Sequence, residues 1–460
     1  MSGALQIAPR TEMNSMALDI HNFERQYDQA LANLARSNLS ARNQALIRSF
    51  CDVCQLRQVC GKVRLIRAVG ALGVMAHHLG KDFPDATRED LERLLGALMA
   101  RKPAYSNETL ATYKRILRRF MTYVLVPDQF PNVKPLPAQI AWITTHIRRR
   151  DRSSVKRSDL LSPADVDALL KAATHERDRA FIASLWEAGP RVAEIGNMQV
   201  KHVTRNPYGY SMDITGKTGT RSPLVVSAAP YLSAWLAIHP KRDDPEAPLW
   251  MQLQSDRQME YATIVVMLKR TFRRAGIKKP FHPHIFRHSR VTYVIANAIM
   301  NEQQAKTYFG WTPDSDMLGS TYAHLIDTDV NNAILRENNM APHQVAQRDL
   351  QPQQCPICHE LSPPGAEYCQ ACNAVLDLKK AYEHQQLHDL KEELFARMFK
   401  VMVERGLIDE AAKEIHDAGL GSVLKRLAQH ASGEAPLVKA TVKPDTPPVN
   451  ANVNVAQVMD

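Results

Sequence analysis

The stretch HPHIFRHSR, residues 282–290, decides how this chain is read. His284 and Arg287 stand three apart, so a helix puts both on one face. The pair joins a proton carrier to a guanidinium fork that matches a phosphate group. Downstream, YFGWTPDSDMLGSTYAHL (308–325) places Trp311 directly after a glycine and Tyr322 in a polar, turn-prone stretch. Upstream, EAGPRVAEIGNM (187–198) places Arg191 just after a Gly-Pro break, at a helix start. Between them, YSMDITGKTGTRSPLVVS (210–227) reads as a β-hairpin with Lys217 at its turn. Each residue alone has an ordinary reading: a surface arginine, a solvated turn lysine, a core tryptophan, a half-buried tyrosine. Glu194, one turn after Arg191, either orients an arginine or caps a salt-bridged helix. The inference rests on joint occurrence.

Taken in order, Arg191, Lys217, His284, Arg287, Trp311 and Tyr322 resemble the tyrosine recombinases, the phage integrase family, over residues 40–340. The string GKTGTR, the stretch HPKRDDPEAPLW, a GW pair and a cysteine-rich ribbon downstream make archaeal integrases the nearest likeness. Pro190 and Trp311 depart from commoner family choices. The first stiffens a turn; the second can donate one N–H but cannot carry a proton near neutrality.

The resemblance implies a site-specific recombinase acting through a 3′-phosphotyrosyl intermediate at Tyr322. A phenol of pKa about 10 is a weak nucleophile at neutral pH, so the site must supply the driving force. Two arginines can hold both non-bridging oxygens and stabilise the charge that grows on phosphorus. His284 can bond the phosphate or accept the phenolic proton, Lys217 can protonate the leaving 5′-oxygen, and Trp311 can buttress the phosphate. Neither ATP nor a catalytic metal is expected. The alternatives are a type IB-like topoisomerase and a DNA-binding regulator that does not use the nucleophile.

The 460 residues exceed one ordinary domain. Hydrophobic residues are 45% and charged residues 23%, as in globular chains. No apolar run is long enough to span a bilayer, and the N-terminus lacks the order of a secretory signal. A net charge of +10 permits a polyanionic partner. Seven cysteines, an odd number, argue for a reducing compartment, so a cytoplasmic, DNA-associated protein is expected.

The fold class expected is mainly α with a small β-sheet. Residues 1–40 read as an N-terminal arm. Residues 41–146 read as a helical, core-binding (SAM-like) DNA-binding domain, with Thr87 and Ser106 as N-caps and Gly80 as a helix stop. Residues 41–150 carry 19 Lys+Arg against 8 Asp+Glu. Within them Lys114, Arg115, Arg118 and Arg119 cluster on neighbouring helical turns, and Arg148, Arg149 and Arg150 open a basic linker (147–157). These seven are the expected DNA contacts. The catalytic domain spans 158–345, opening at an N-cap on Ser162. A ribbon covers 350–375, a helical segment for oligomerisation 376–432, and a disordered tail 433–460. The resemblance implies double-stranded DNA as partner, and a homo-tetramer on it.

CPICHELSPPGAEYCQAC (355–372) sets Cys355, Cys358, Cys369 and Cys372 in two CxxC pairs around a Pro-Pro-Gly turn. Four thiolates close a tetrahedral zinc site with no open position, so the expected zinc is structural. Cys51, Cys54 and Cys60 lack a second pair and read as helix cysteines rather than ligands.

Overall fold

The computed structural model describes residues 18–148, 156–316 and 350–405. The chain first folds into helices: α1 (Phe23–Ala35), α2 (Ala41–Leu56), α3 (Lys62–Leu79), α4 (Arg88–Ala100), α5 (Asn107–Leu125) and α6 (Ala138–Ala141). Their limits follow local chemistry. Thr87 and Asp90 form a capping box at the start of α4. The Ser106 hydroxyl accepts the Thr109 N–H at 3.2 Å to start α5. Gly80 ends α3 at φ +69°, a left-handed cap that glycine takes without a Cβ penalty. The apolar faces close one core around Ile47, Phe50, Leu65, Leu72, Phe83, Leu98 and Phe120. α1, in the segment read as an arm, contributes Tyr27 and Leu34 to it. Cys51 and Cys54 are buried on α2, and Cys60 is part-buried just beyond it.

A second core gathers α7 (Pro163–Ala172), α8 (Glu176–Ala188), α9 (Val192–Gly196), α10 (Ala229–Ala237), α11 (Tyr261–Arg274), α12 (Ile285–Ala296) and α13 (Glu302–Phe309). α8 is its axis, buried along nearly its whole length. Ser162 and Asp165 form the capping box that opens α7.

Five short strands lie beside these helices: β1 (Val203–Asn206), β2 (Gly209–Met212), β3 (Ile214–Gly216), β4 (Gly219–Arg221) and β5 (Leu224–Val225). The hairpin read from sequence is two objects. β2 runs antiparallel to both β1 and β5 in a three-stranded sheet, while β3 and β4 form their own two-stranded hairpin. The register pairs Gly216 with Gly219, which leaves Lys217 and Thr218 at the tip. The chain's early residues also reach this core. Ile20 is buried in it, donates its N–H to Asn197 Oδ1 at 2.9 Å and accepts the Tyr261 N–H at 2.8 Å. Gly196 makes room for it: a Cβ there would stand 2.7 Å from Ile20 Cδ1.

Strands β6 (Gln353–Gln354) and β7 (Leu361–Ser362) carry the ribbon. Leu361 packs against the second core, and Glu360 pairs with Arg205 on β1. A separate unit begins at Val375 and contains one long helix, α14 (Leu378–Glu404). Leu387, Leu390, Leu394 and Met398 are exposed on it.

Candidate active site and cysteine ribbon

Arg191 is the N-cap residue of α9, and Glu194 one turn on accepts its backbone N–H at 3.0 Å. The same carboxylate pairs with the Arg191 guanidinium and, from the other side, with Arg221 Nη2 at 3.1 Å. Burial alone would raise the Glu194 pKa. The Arg191 N–H and the two guanidiniums outweigh it and hold the group ionised below the usual carboxylate range.

Arg287 sits on α12, one turn beyond His284 at the helix start. It is buried, and its fork is fixed by two carbonyls, Gly189 O and Phe309 O, each at 2.8 Å. Trp311 lies against it, with the guanidinium carbon 4.7 Å from the ring centre. Two glycines make this corner. Gly189 (φ +54°) ends α8, and a Cβ there would meet Phe309 at 2.7 Å. Gly310 (φ +69°) ends α13 and turns the chain into Trp311.

His284 is solvent-accessible, yet its pKa is lowered by desolvation and by the guanidiniums of Arg287 and Arg191. Its neutral form is therefore favoured at physiological pH. His288 lies on the same helix with its ring 6.3 Å from His284. Burial, then His282 and His284, push its pKa down to about 4. Lys217 is exposed at the hairpin tip. Its neighbour Thr218 donates to the Gly310 carbonyl at 2.9 Å, which brings the tip to the corner before Trp311.

A buried carboxylate supports this arrangement from behind. Glu187, at the end of α8, accepts the N–H groups of Val226, Ser227 and Ala228 at 2.8, 3.1 and 2.7 Å. They precede α10, so the carboxylate satisfies donors that would otherwise be orphaned. The Tyr308 hydroxyl is bonded to the Glu187 and Leu224 carbonyls, and burial raises its pKa.

Arg191, Lys217, His284, Arg287 and Trp311 thus gather around α9, the start of α12 and the Gly310 corner. Tyr322 lies outside the described residues, as do Arg149 and Arg150. Sequence reading weighed Glu194 without deciding its role, and it passed over Arg221 and Glu187. Arg221 stood inside the quoted hairpin string, but only the folded chain brings it to Glu194.

The four ribbon cysteines have their sulfurs within 4.8 Å of one another. Cys355–Cys372 and Cys358–Cys369 sulfurs are each 3.6 Å apart. Tetrahedral thiolate ligation at about 2.3 Å from zinc places sulfurs about 3.8 Å apart, so the set fits that ion. The two knuckles repeat one geometry. The residue after the second cysteine, His359 or Asn373, is left-handed (φ 61° and 59°), and its N–H bonds the first cysteine's carbonyl at 3.0 and 2.9 Å. Backbone N–H groups of Cys358 and Ile357 draw the Cys355 thiol down, while the neighbouring thiols push those of Cys358 and Cys372 up.

The phage integrase family model matches residues 159–328, which contain all six residues singled out from the sequence. That segment therefore carries a phage integrase domain, the domain of tyrosine recombinases. A tyrosine recombinase of Thermosipho africanus is 24% identical to this chain over 261 residues, 56% of this chain and 87% of that one. The tyrosine recombinase XerA of Thermococcus onnurineus is 26% identical over 204 residues, 43% of this chain and 65% of that one. Among solved structures, the XerH site-specific recombinase bound to palindromic difH substrate aligns at 15% identity and a TM-score of 0.46. It covers 70% of this chain and 98% of that one.

The basic residues expected to contact DNA divide. On α5, Arg115 and Arg119 are exposed, and Lys114 and Arg118 are half-buried. Arg118 donates to the Ile143 carbonyl at 3.3 Å, so it helps hold the chain beyond α6. Arg148 is exposed. Among the described residues, no helix is long and apolar enough to cross a membrane.

Proposed function

We propose that this protein is a site-specific recombinase that cleaves and rejoins double-stranded DNA, with Tyr322 as nucleophile. The tyrosine oxygen bonds to phosphorus, the bond from phosphorus to the 5′-oxygen breaks, and the electron pair leaves on that oxygen. His284, kept neutral by its cationic neighbours, takes the phenolic proton; Lys217 gives a proton to the 5′-oxygen. Arg191 and Arg287 hold the non-bridging oxygens, and Trp311 packs over Arg287 and donates to the phosphate. The 3′-phosphotyrosyl bond conserves the ester, so a free 5′-hydroxyl rejoins by the reverse step without ATP. The guanidiniums supply the electrostatic role a metal would otherwise fill.

The observation that carries this reading is the convergence of an ordered guanidinium fork, a neutral histidine and a lysine hairpin on the Gly310 corner. The helical residues 41–146 and the linker 147–157 form the second jaw of a DNA clamp. Lys114, Arg115, Arg118, Arg119, Arg148, Arg149 and Arg150 track the backbone. The catalytic unit (158–345) assembles with three copies into a tetramer on two duplexes. Cys355, Cys358, Cys369 and Cys372 hold a structural zinc that fixes the ribbon (350–375), and residues 376–432 contact a neighbouring subunit. The protein works in the cytoplasm, on DNA.

The test is a duplex nicked beside the cleavage position, which traps the covalent product. The parent chain should form a protein–DNA adduct that resists denaturation, and Tyr322→Phe should form none. DNA retention with no adduct from the parent would favour the regulator. Adducts and relaxation without exchange between two paired sites would favour the topoisomerase.

A further inference from the structure

The hairpin that carries Lys217 is fastened to the arginine site at two points, and one residue serves both. Arg221 ends β4 with its side chain buried, only 9% exposed. Its guanidinium reaches Glu194, whose other oxygen pairs with Arg191. The same side chain packs closely on Gly310: a Cβ there would stand 2.7 Å from Arg221 Nη1 and 3.1 Å from Cδ. At the tip, Thr218 bonds the Gly310 carbonyl, and at the base Gly216 presses on Glu194, where a Cβ would meet Oε1 at 2.6 Å.

A buried cation is a costly fastener. Arg221 Nε has no hydrogen-bond partner among the described residues, and an apolar side chain of similar size would bury more cheaply. What an apolar residue could not do is grip Glu194 and Gly310 together.

We infer that Arg221 is a positioning residue that acts through Lys217: by clamping β4 between Glu194 and Gly310 it sets where the hairpin amine meets the leaving 5′-oxygen. The inference rests on the assignment of Lys217 as the proton donor. In this reading Arg221 acts on the hairpin and not on the phosphate itself. Its contribution is the angle and reach of the hairpin, so it should be felt only where a proton must be delivered.

The experiment compares two nicked duplexes in single-turnover cleavage by the full chain. One has the ordinary phosphodiester; the other has sulfur in place of the bridging 5′-oxygen. A thiolate leaves without a proton, so loss of the donor is silent on the second substrate. Lys217→Ala should cleave the first substrate on the order of 100-fold slower and the second within about threefold of the parent. Arg221→Met should give the same pattern. Arg221→Lys should not restore the rate on oxygen, because an amine cannot span Glu194 and Gly310 in one plane.

Equal slowing of Arg221→Met on both substrates would overturn the inference, since the residue would then act through Arg191 or through the fold at large. Undiminished cleavage of the oxygen substrate would overturn it too. If sulfur fails to rescue Lys217→Ala itself, the assignment of the donor fails first, and that outcome is visible independently of Arg221. Should Arg221→Met not fold, Thr218→Val removes only the exposed tip contact and carries the same comparison, with a smaller loss on oxygen expected.

Discussion

The two large cores of this molecule are built from different materials. The core of α1 to α6 is apolar almost throughout, and among its described residues only Asn43, Asp90 and Thr122 are buried polar side chains. The core of α7 to α13 buries Arg177 against Asp178, Glu187 under three backbone N–H groups, Glu194 between two arginines, and Arg287 on two carbonyls. Buried charge is poor cement, because desolvation offsets most of the attraction. It does hold charged groups in one geometry before any substrate arrives. The helical core gains stability from packing and, apart from Asp90, which pairs with Lys81 and Arg93, leaves its charge on the surface, where it can meet a polyanion. The second core accepts buried charge where chemistry needs it fixed.

That contrast can be broken by substitution. The largest effect should come from Arg287→Gln: cleavage should slow on the order of 1000-fold in a single-turnover assay, and Arg287→Lys should not rescue it, since the fork is lost in both. Glu187→Ala comes next. It strands three backbone donors before α10 and should cost about 3–5 kcal/mol in denaturant unfolding of the catalytic core. A loss under about 1 kcal/mol would mean those N–H groups find other partners. The smallest effect belongs to the helical core. Ser106→Ala removes one N-cap on α5 and should cost about 1 kcal/mol, with no buried charge left unpaired.

The same contrast explains what the sequence made legible. The starts of α4, α5 and α7 could be read from Thr87, Ser106 and Ser162, because a cap is settled within four residues. The turn Gly216–Gly219 was equally local, but the partners of β2 were not. Its pairing with β1 and β5 depends on strands that no local pattern connects. The six-residue set stood out because its residue types and order are unusual together. The supports behind it, Glu187 and Arg221, carry no local signal, because their partners Val226–Ala228 and Glu194 are brought to them only by the fold. Ile20 stayed hidden for the same reason: its partners Asn197 and Tyr261 lie far along the chain. The ribbon was legible from spacing alone, since two CxxC knuckles bring their own geometry. Tyr322, read from spacing after Trp311, lies outside the described residues.

The most direct test of the whole account is to digest the trapped protein–DNA adduct and identify, by mass spectrometry, the residue that carries the nucleotide. The account requires a phosphodiester on Tyr322. A nucleotide on Tyr308, whose hydroxyl is buried and bonded to two carbonyls, or on a residue that is not a tyrosine, would contradict it.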